Sequence, residues 1–320
     1  MKADEISAIA VIGAGTMGAG IAGEFARIGC RVCMLDVDQD RLDHGMKAMA
    51  RAQAALTNAG MLSKAEARTA RKRVTPTPCL EMACEGIQLL VEAASENLRL
   101  KKKLFRRFDE VCPKRAILAS NTSGLSITQI ASAVTRPARV AGLHFWNPPH
   151  IIPLVEVTRG ETTSAATARA LVDVCRRLGK RPILVRHDVP GFVGNRLQFA
   201  VLREALHLLD EGIASADDID TAMTAGPGLR WAFMGPLRTA DLGGLDIFHA
   251  ISRYLFAELA SNPGPRGTLK KLVRKNHLGA KTGQGFFEYT GGDLGRTVRE
   301  RDRVLLDLLG VLRETMNPDK

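Results

Sequence analysis

Apolar residues fall along this chain in two alternating rhythms: short unbroken runs, and longer stretches with apolar positions three and four apart. Ala8-Ile9-Ala10-Val11-Ile12 predicts a buried strand, and Met17 to Ile28 an amphipathic helix closed by Gly29. Arg31 to Leu35 reads as a second strand ending in Asp36. A long helix is expected over Gln39 to Ala59, with Leu42, Met46, Met49, Gln53 and Leu56 at helical spacing, then a shorter one over Ser63 to Arg73, with Ser63 as cap and Glu66 three residues on. That pair is longer than a minimal crossover, so it is expected to project from the sheet and form part of a substrate wall.

Strands are then expected at Val74-Thr75, Ile87 to Ala94, Ala116 to Ala119, Val140 to Phe145, Leu154 to Thr158 and Ile183 to Val185, with helices over Asn97 to Val111 and Thr163 to Leu178. Short apolar strands alternating with helices imply an α/β fold with a parallel, doubly wound, Rossmann-type sheet. Past His187-Asp188-Val189-Pro190-Gly191 the rhythm is almost wholly helical, with runs over Phe192 to Asp210 and Pro236 to Leu259. The expected division is residues 1–188 as a dinucleotide-binding domain and 189–320 as an all-α domain.

The first strand runs into Gly13-Ala14-Gly15-Thr16-Met17-Gly18. In a strand-loop-helix setting, Gly13 permits a tight turn, Gly15 lets backbone approach a pyrophosphate and Gly18 lets the helix pack closely, while the helix start offers free N–H groups to the phosphates. Asp36, about 20 residues on, is placed to bind a ribose 2′-hydroxyl and repel a 2′-phosphate, so NAD is favoured over NADP. In such sheets ligands gather at the carboxyl ends of strands, where Ser95-Glu96-Asn97 and Asn121-Thr122-Ser123 fall.

Composition narrows the partners. A net charge of +11, from 45 Lys+Arg against 34 Asp+Glu, suits polyanionic small molecules such as nucleotides and coenzyme A. Nucleic acid is not expected, because the basic clusters Arg71-Lys72-Arg73, Lys101-Lys102-Lys103 and Arg106-Arg107 have no interleaved aromatic platform and aromatic residues make up only 5%. No apolar run approaches the roughly 18 residues of a membrane span. Met1-Lys2-Ala3-Asp4-Glu5 leads directly into a strand without a signal-peptide core, so a cytoplasmic protein is expected. Cys30 and Cys33 form a Cys-x-x-Cys that runs from a helix end into a strand and has no second ligand pair; buried thiols are expected, and no metal site.

Among seven histidines, His144 ends a strand just before the proline-enforced turn Asn147-Pro148-Pro149, a cleft position. His44, His207 and His249 lie in helical runs or loops without such a setting. An imidazole titrating near neutrality can take an alcohol proton as hydride leaves, given an orienting partner, and Glu156 is the nearest candidate. A core histidine beside a buried-edge carboxylate is the competing reading.

Over nearly its whole length the sequence resembles the 3-hydroxyacyl-CoA dehydrogenases, most of all the short 3-hydroxybutyryl-CoA type. The matching stretches are Val11 to Gly18 with Gly20-Ile21-Ala22, Val91 to Asn97, Ser120 to Ser123, His144 to Pro149, Pro153 to Glu156, Pro190 to Arg196, Gly235-Pro236 with Asp241-Leu242, and Lys281 to Phe286. The resemblance implies an NAD-dependent oxidoreductase of fatty acid metabolism that interconverts an L-3-hydroxyacyl-CoA, short in its acyl chain, and the 3-oxo form. It implies His144 as base in oxidation and acid in reduction, Glu156 as the group holding its tautomer, and Ser123 and Asn195 as groups positioning the reacting oxygen and thioester. Glu96, Lys101, Asn147 and Lys281 match positions near NAD, Asp36 the ribose-binding acid, and a homodimer through the helical domain is implied. Taken alone, Lys101 reads equally as one member of a solvated basic cluster.

Two departures bear on substrate. Trp146 stands where the family often has Phe, and Ala59 where a lysine commonly contacts CoA; Gly228 to Gly235 is also similar to relatives that oxidise free hydroxy acids such as carnitine or gulonate. A dehydrogenase of a free 3-hydroxy acid is therefore the alternative expectation. A non-catalytic NAD-binding protein is a further one, against which the intact set Ser123, His144, Glu156 and Asn195 argues.

Overall fold

The computed structural model describes residues 2–265, 267–289 and 294–315. Two compact units divide the chain, Met1–Arg196 and Leu197–Lys320. The boundary expected at 188/189 lies just upstream of that division.

The first unit is built on an eight-stranded sheet, in the order β3-β2-β1-β4-β5-β6-β7-β8. Its elements in chain order are β1 (Ala8–Ile12), α1 (Thr16–Arg27), β2 (Arg31–Leu35), α2 (Gln39–Asn58), α3 (Lys64–Lys72), β3 (Val74–Thr77), α4 (Leu80–Ala83), β4 (Leu89–Glu92) and α5 (Leu98–Val111). They continue with β5 (Ile117–Ser120), α6 (Ile127–Ala131), β6 (Val140–Phe145), β7 (Leu154–Thr158), α7 (Ala165–Arg177) and β8 (Arg181–Val185). The strand order reverses between β1 and β4, the crevice at which dinucleotides bind in doubly wound sheets. Strands β1 to β6 run parallel, but β7 pairs antiparallel to β6, and β8 follows β7. A wholly parallel sheet is thus corrected: residues 146–153 are too few for a crossover, which takes about a dozen residues or more.

Alternating side chains of each strand enter two cores. Ile9, Val11, Met34 and Val91 pack under Phe25 of α1, Met49 of α2 and Leu171 of α7, while Ala10, Ile12, Leu90 and Leu118 meet Phe105 and Phe108 of α5 and Ile130 of α6. Phe105 and Phe108 are fully buried, which contributes about 1.5–3 kcal/mol each and fixes α5 despite its lysine-rich outer face. Pro76 is tolerated because β3 is an edge strand.

The α2–α3 pair does not project. Leu42, Gly45, Met49, Gln53 and Leu56 are buried along nearly the whole of α2, which packs against α1, and α3 packs there too. The Ser63–Glu66 capping box forms as expected.

The helical region comprises α8 (Gly194–Asp210), α9 (Ala216–Ala225), α10 (Pro227–Trp231), α11 (Pro236–Gly243), α12 (Leu245–Glu258), α13 (Gly267–Arg274) and α14 (Leu294–Thr315). The run expected as one helix over Pro236 to Leu259 is two, broken at Gly244, whose φ of 91° suits glycine alone. No helix among the described residues is long and apolar enough to cross a membrane.

Candidate active site

The glycine loop lies between β1 and α1. Gly13 turns at φ 104°, and a Cβ there would lie 2.7 Å from the Ala93 carbonyl oxygen; a Cβ on Gly18 would lie 1.8 Å from that of Gly13. These two contacts seat α1 on the sheet. Gly15 differs, since a Cβ on it would meet nothing within 4 Å. As N-cap of α1 it brings no side-chain acceptor, and the first turn, with Thr16 and Met17, holds no acidic residue. The loop therefore offers uncapped N–H donors beside open space, which fits a pyrophosphate.

Asp36 follows β2 and folds onto this loop. One oxygen accepts from Ala14 N (2.7 Å), the other from Val37 N (2.7 Å), and Arg41 lies 3.8 Å away. Its carboxylate thus stands beside the loop at the end of β2, where a ribose is read in Rossmann folds.

A buried polar network fills the ends of β4 and β5. Glu92, wholly buried, accepts from Lys101 Nζ (2.7 Å), Ala94 N (2.7 Å) and Ser120 Oγ (2.6 Å). Lys101 is 1% exposed, and its ammonium also reaches Ala94 O (3.2 Å) and Glu96 (3.6 Å), so it is turned inward and is no part of a solvated basic face. Glu96 in turn accepts from Thr122 Oγ1 (2.6 Å) and Ser123 N (2.9 Å). The buried ion pair thereby sets the Glu96 loop, and that loop sets Ser123. Glu92 escapes the sequence reading; the one signal for it is an acid closing the otherwise apolar run Leu89-Leu90-Val91.

His144 and Glu156 face each other directly across the antiparallel β6–β7 pair. His144 Nδ1 lies 2.8 Å from Glu156 Oε2, with the histidine side chain 8% exposed and the glutamate not at all. Glu156 Oε2 also accepts from Trp146 Nε1 (3.2 Å), while Oε1 accepts from Val193 N and Gly194 N (3.0 Å each). Burial pushes the Glu156 carboxyl up, but its hydrogen bond from His144 and those from Gly194 and Val193 outweigh that and hold it below the usual carboxylate range. An ionised Glu156 accepts and does not donate, so Nδ1 carries a proton, and in the neutral ring Nε2 is the acceptor. Two aromatic rings wall the imidazole, Trp146 at 5.4 Å and Phe192 at 6.0 Å between centroids.

Asn195 joins this group through Nδ2, which donates to Ser123 O (2.8 Å). Asn121 Oδ1 accepts from Phe145 N (2.8 Å), and Asn147 is exposed just beyond β6. Lys281 sits exposed in a 3-10 turn, Ala280–Thr282, of the helical unit. Cys30 and Cys33 are both buried; Cys30 Sγ meets Arg177 Nη2 at 3.1 Å. Among the described residues no group of three or more His, Cys, Asp or Glu is arranged to hold a metal. An imidazole oriented by a buried carboxylate, on the same sheet as a dinucleotide loop, can pair hydride transfer with proton transfer.

Residues 8–189 match the family model described as 3-hydroxyacyl-CoA dehydrogenase, NAD binding domain, and residues 191–289 its C-terminal domain. The chain is 35% identical over 305 residues to 5-formyl-3-hydroxy-2-methylpyridine 4-carboxylate 5-dehydrogenase of Mesorhizobium japonicum, covering 95% of this chain and 97% of that one. It is 39% identical over 286 residues to a probable 3-hydroxybutyryl-CoA dehydrogenase of Bacillus subtilis, covering 89% and 98%. Among solved structures, that of a 5-formyl-3-hydroxy-2-methylpyridine 4-carboxylic acid 5-dehydrogenase, an NAD+-dependent dismutase, superposes with a TM-score of 0.90 at 34% identity, over 96% of this chain and 99% of that one. With its glycine loop and both halves matched, the chain belongs to the 3-hydroxyacyl-CoA dehydrogenase family of NAD-dependent oxidoreductases.

Proposed function

We propose that the chain oxidises the hydroxyl of a short L-3-hydroxyacyl-CoA to the 3-oxo thioester, and runs the reverse reduction. The observation that carries this reading is the 2.8 Å bond from His144 Nδ1 to a wholly buried, ionised Glu156. It leaves Nε2 to take the hydroxyl proton, and the imidazolium so formed is stabilised by Glu156; in reduction the same nitrogen returns the proton. Ser123 and Asn195 hold the reacting oxygen and the thioester. NAD, when bound, supplies the hydride acceptor. Gly13, Gly15, Thr16, Met17 and Gly18 cradle its pyrophosphate and Asp36 takes the ribose, while Glu96 and Asn147 line the remainder; Lys101 acts there by fixing Glu96.

A second reading, a free hydroxy acid as substrate, is favoured by two observations. Ala59 offers no cation to a CoA phosphate, and the relative matched over 97% of its length is named for a pyridine carboxylate. Acetoacetyl-CoA reduction, followed at the NADH absorbance beside oxidation of carnitine, gulonate and a formylpyridine carboxylate, separates the two. In His144→Asn, NADH binding should persist while turnover on the accepted substrate falls roughly 10²- to 10⁴-fold. Turnover within a few fold of wild type would remove His144 from its role.

The working unit is a homodimer formed through the helical domain. Leu306 is the only buried hydrophobic residue described beyond Arg196, whereas Phe199, Phe233, Leu237, Leu242 and Phe256 are all more than half exposed. An apolar surface of that extent calls for a partner, and a second copy supplies the same surface in return.

A further inference from the structure

The two oxygens of Glu156 serve different groups. Oε1 takes two backbone N–H donors, fixed by the start of α8, and Oε2 takes two side-chain donors, His144 Nδ1 and Trp146 Nε1. The oxygen that balances the histidine's charge is therefore shared with an indole. Trp146 is held in place for this, since its six-membered ring lies where a Cβ on Gly194 would be, 2.4 Å from Cζ2.

We propose that Trp146 is a positioning and tuning residue of the proton-transfer pair: its indole N–H draws on Glu156 Oε2, weakens that oxygen's hold on imidazolium, and biases His144 toward the neutral form needed for oxidation. This rests on the reading of His144 as the base. A hydrogen bond to a carboxylate drains negative charge from the accepting oxygen, so the imidazolium loses part of its counter-charge whenever the indole is present. The neutral imidazole loses less. The effect is selective for one protonation state, which mere packing of a ring is not.

Among the described residues, no other charged group is hydrogen-bonded to His144 or Glu156. From β7, Glu156 faces His144; the β8 residue in register with Glu156 is Ile183. Phe192, Val193, Gly194 and Asn195 on the segment entering α8 are uncharged, as are Asn121 and Ser123 beyond β5. Glu96 and Lys101 are engaged with each other, and Asp188 with Ser126 Oγ and Thr128 N.

The test is the pH dependence of kcat in both directions for wild type and Trp146→Phe, with a variant carrying the sulfur isostere 3-benzothienylalanine at this position, which keeps the shape and lacks the N–H. Losing one hydrogen bond to a charged acceptor should move the acid limb of oxidation and the basic limb of reduction together to higher pH, by about 0.5 to 1 unit. On the acid limb at fixed pH that is a roughly 3- to 10-fold slower oxidation. The height of the plateau reports packing and is read separately. Limbs that stay in place in the isostere variant overturn the proposal, as do limbs that move to lower pH. His144→Asn distinguishes the underlying reading: if it keeps the wild-type limbs and turnover, His144 is not the base; if it loses them while the isostere leaves them unmoved, the tuning role of Trp146 alone fails.

Discussion

In the proposed reaction His144 is a directed base only through what surrounds it. Its position before Asn147-Pro148-Pro149 and its partner twelve residues on are both local in sequence, which is why they can be read there. The other three donors to Glu156 are less visible: Val193 and Gly194 contribute backbone N–H groups from a distant segment, and an indole donates whatever its neighbours are. Glu92 and Lys101 are hidden for a related reason, because a buried ion pair on a strand and a helix spells like a surface acid and one member of a lysine cluster. Asp36 is the opposite case. Its distance from the glycines announces it, and the structure adds that it also anchors the loop through Ala14 N and Val37 N. Asp36→Ala should raise KM for NAD and shrink the preference for NAD over NADP in kcat/KM by about tenfold or more, since both an acceptor and a repulsive charge are lost. Steady-state kinetics with each cofactor checks it, and an unchanged preference would show that Asp36 does not select.

Elements were legible where their hydrophobic period is uninterrupted and their connections ordinary. The strands from β1 to β6 and the helices α1, α2, α3 and α5 follow that rule, whereas the one-turn helices α4 and α6 are too short to show a period. The reversed direction of β7 was also written in the chain, in the shortness of the link 146–153, but strand patterning carries no direction. The break at Gly244 fell inside a run whose helical period continues on both sides of it. Between elements, Asp109 joins α5 to the turn that leads into β6 and so to His144. It accepts from Thr135 N (2.7 Å) and Arg139 Nη2 (2.7 Å), and Thr135 Oγ1 adds a third bond. Burial raises its pKa, but Thr135 and Arg139 more than offset this and hold it at about 2. Because the folded value lies below the unfolded one near 4, the contribution to stability is present above about pH 4 and is lost as pH falls from there toward 2. Urea midpoints measured across that window should therefore fall less steeply in Asp109→Asn than in wild type. Equal slopes would mean that Asp109 is not the group responsible.

At the scale of the molecule, the helical unit exposes what the sheet unit buries. The sequence shows helices of the right length and amphipathicity there, yet periodicity cannot say whether an apolar stripe meets its own chain or another copy. Exposure of Leu237, Leu242 and Phe256 at 83%, 73% and 72% argues for another copy. Association then works against charge, because each chain carries +11 and two copies repel. Salt screens that repulsion over roughly 8–10 Å and leaves apolar burial in place, so the dimer dissociation constant should fall as ionic strength rises, the reverse of an interface held by ion pairs. Sedimentation equilibrium at low and high salt measures this directly. A dimer also ties folding to mass action, so the thermal midpoint of the wild-type chain should climb with protein concentration. Phe256→Glu, which sets a charge into the apolar surface, should populate monomer and flatten that dependence. A wild-type chain that sediments as a monomer at tens of micromolar, with a midpoint independent of concentration, would overturn the dimer.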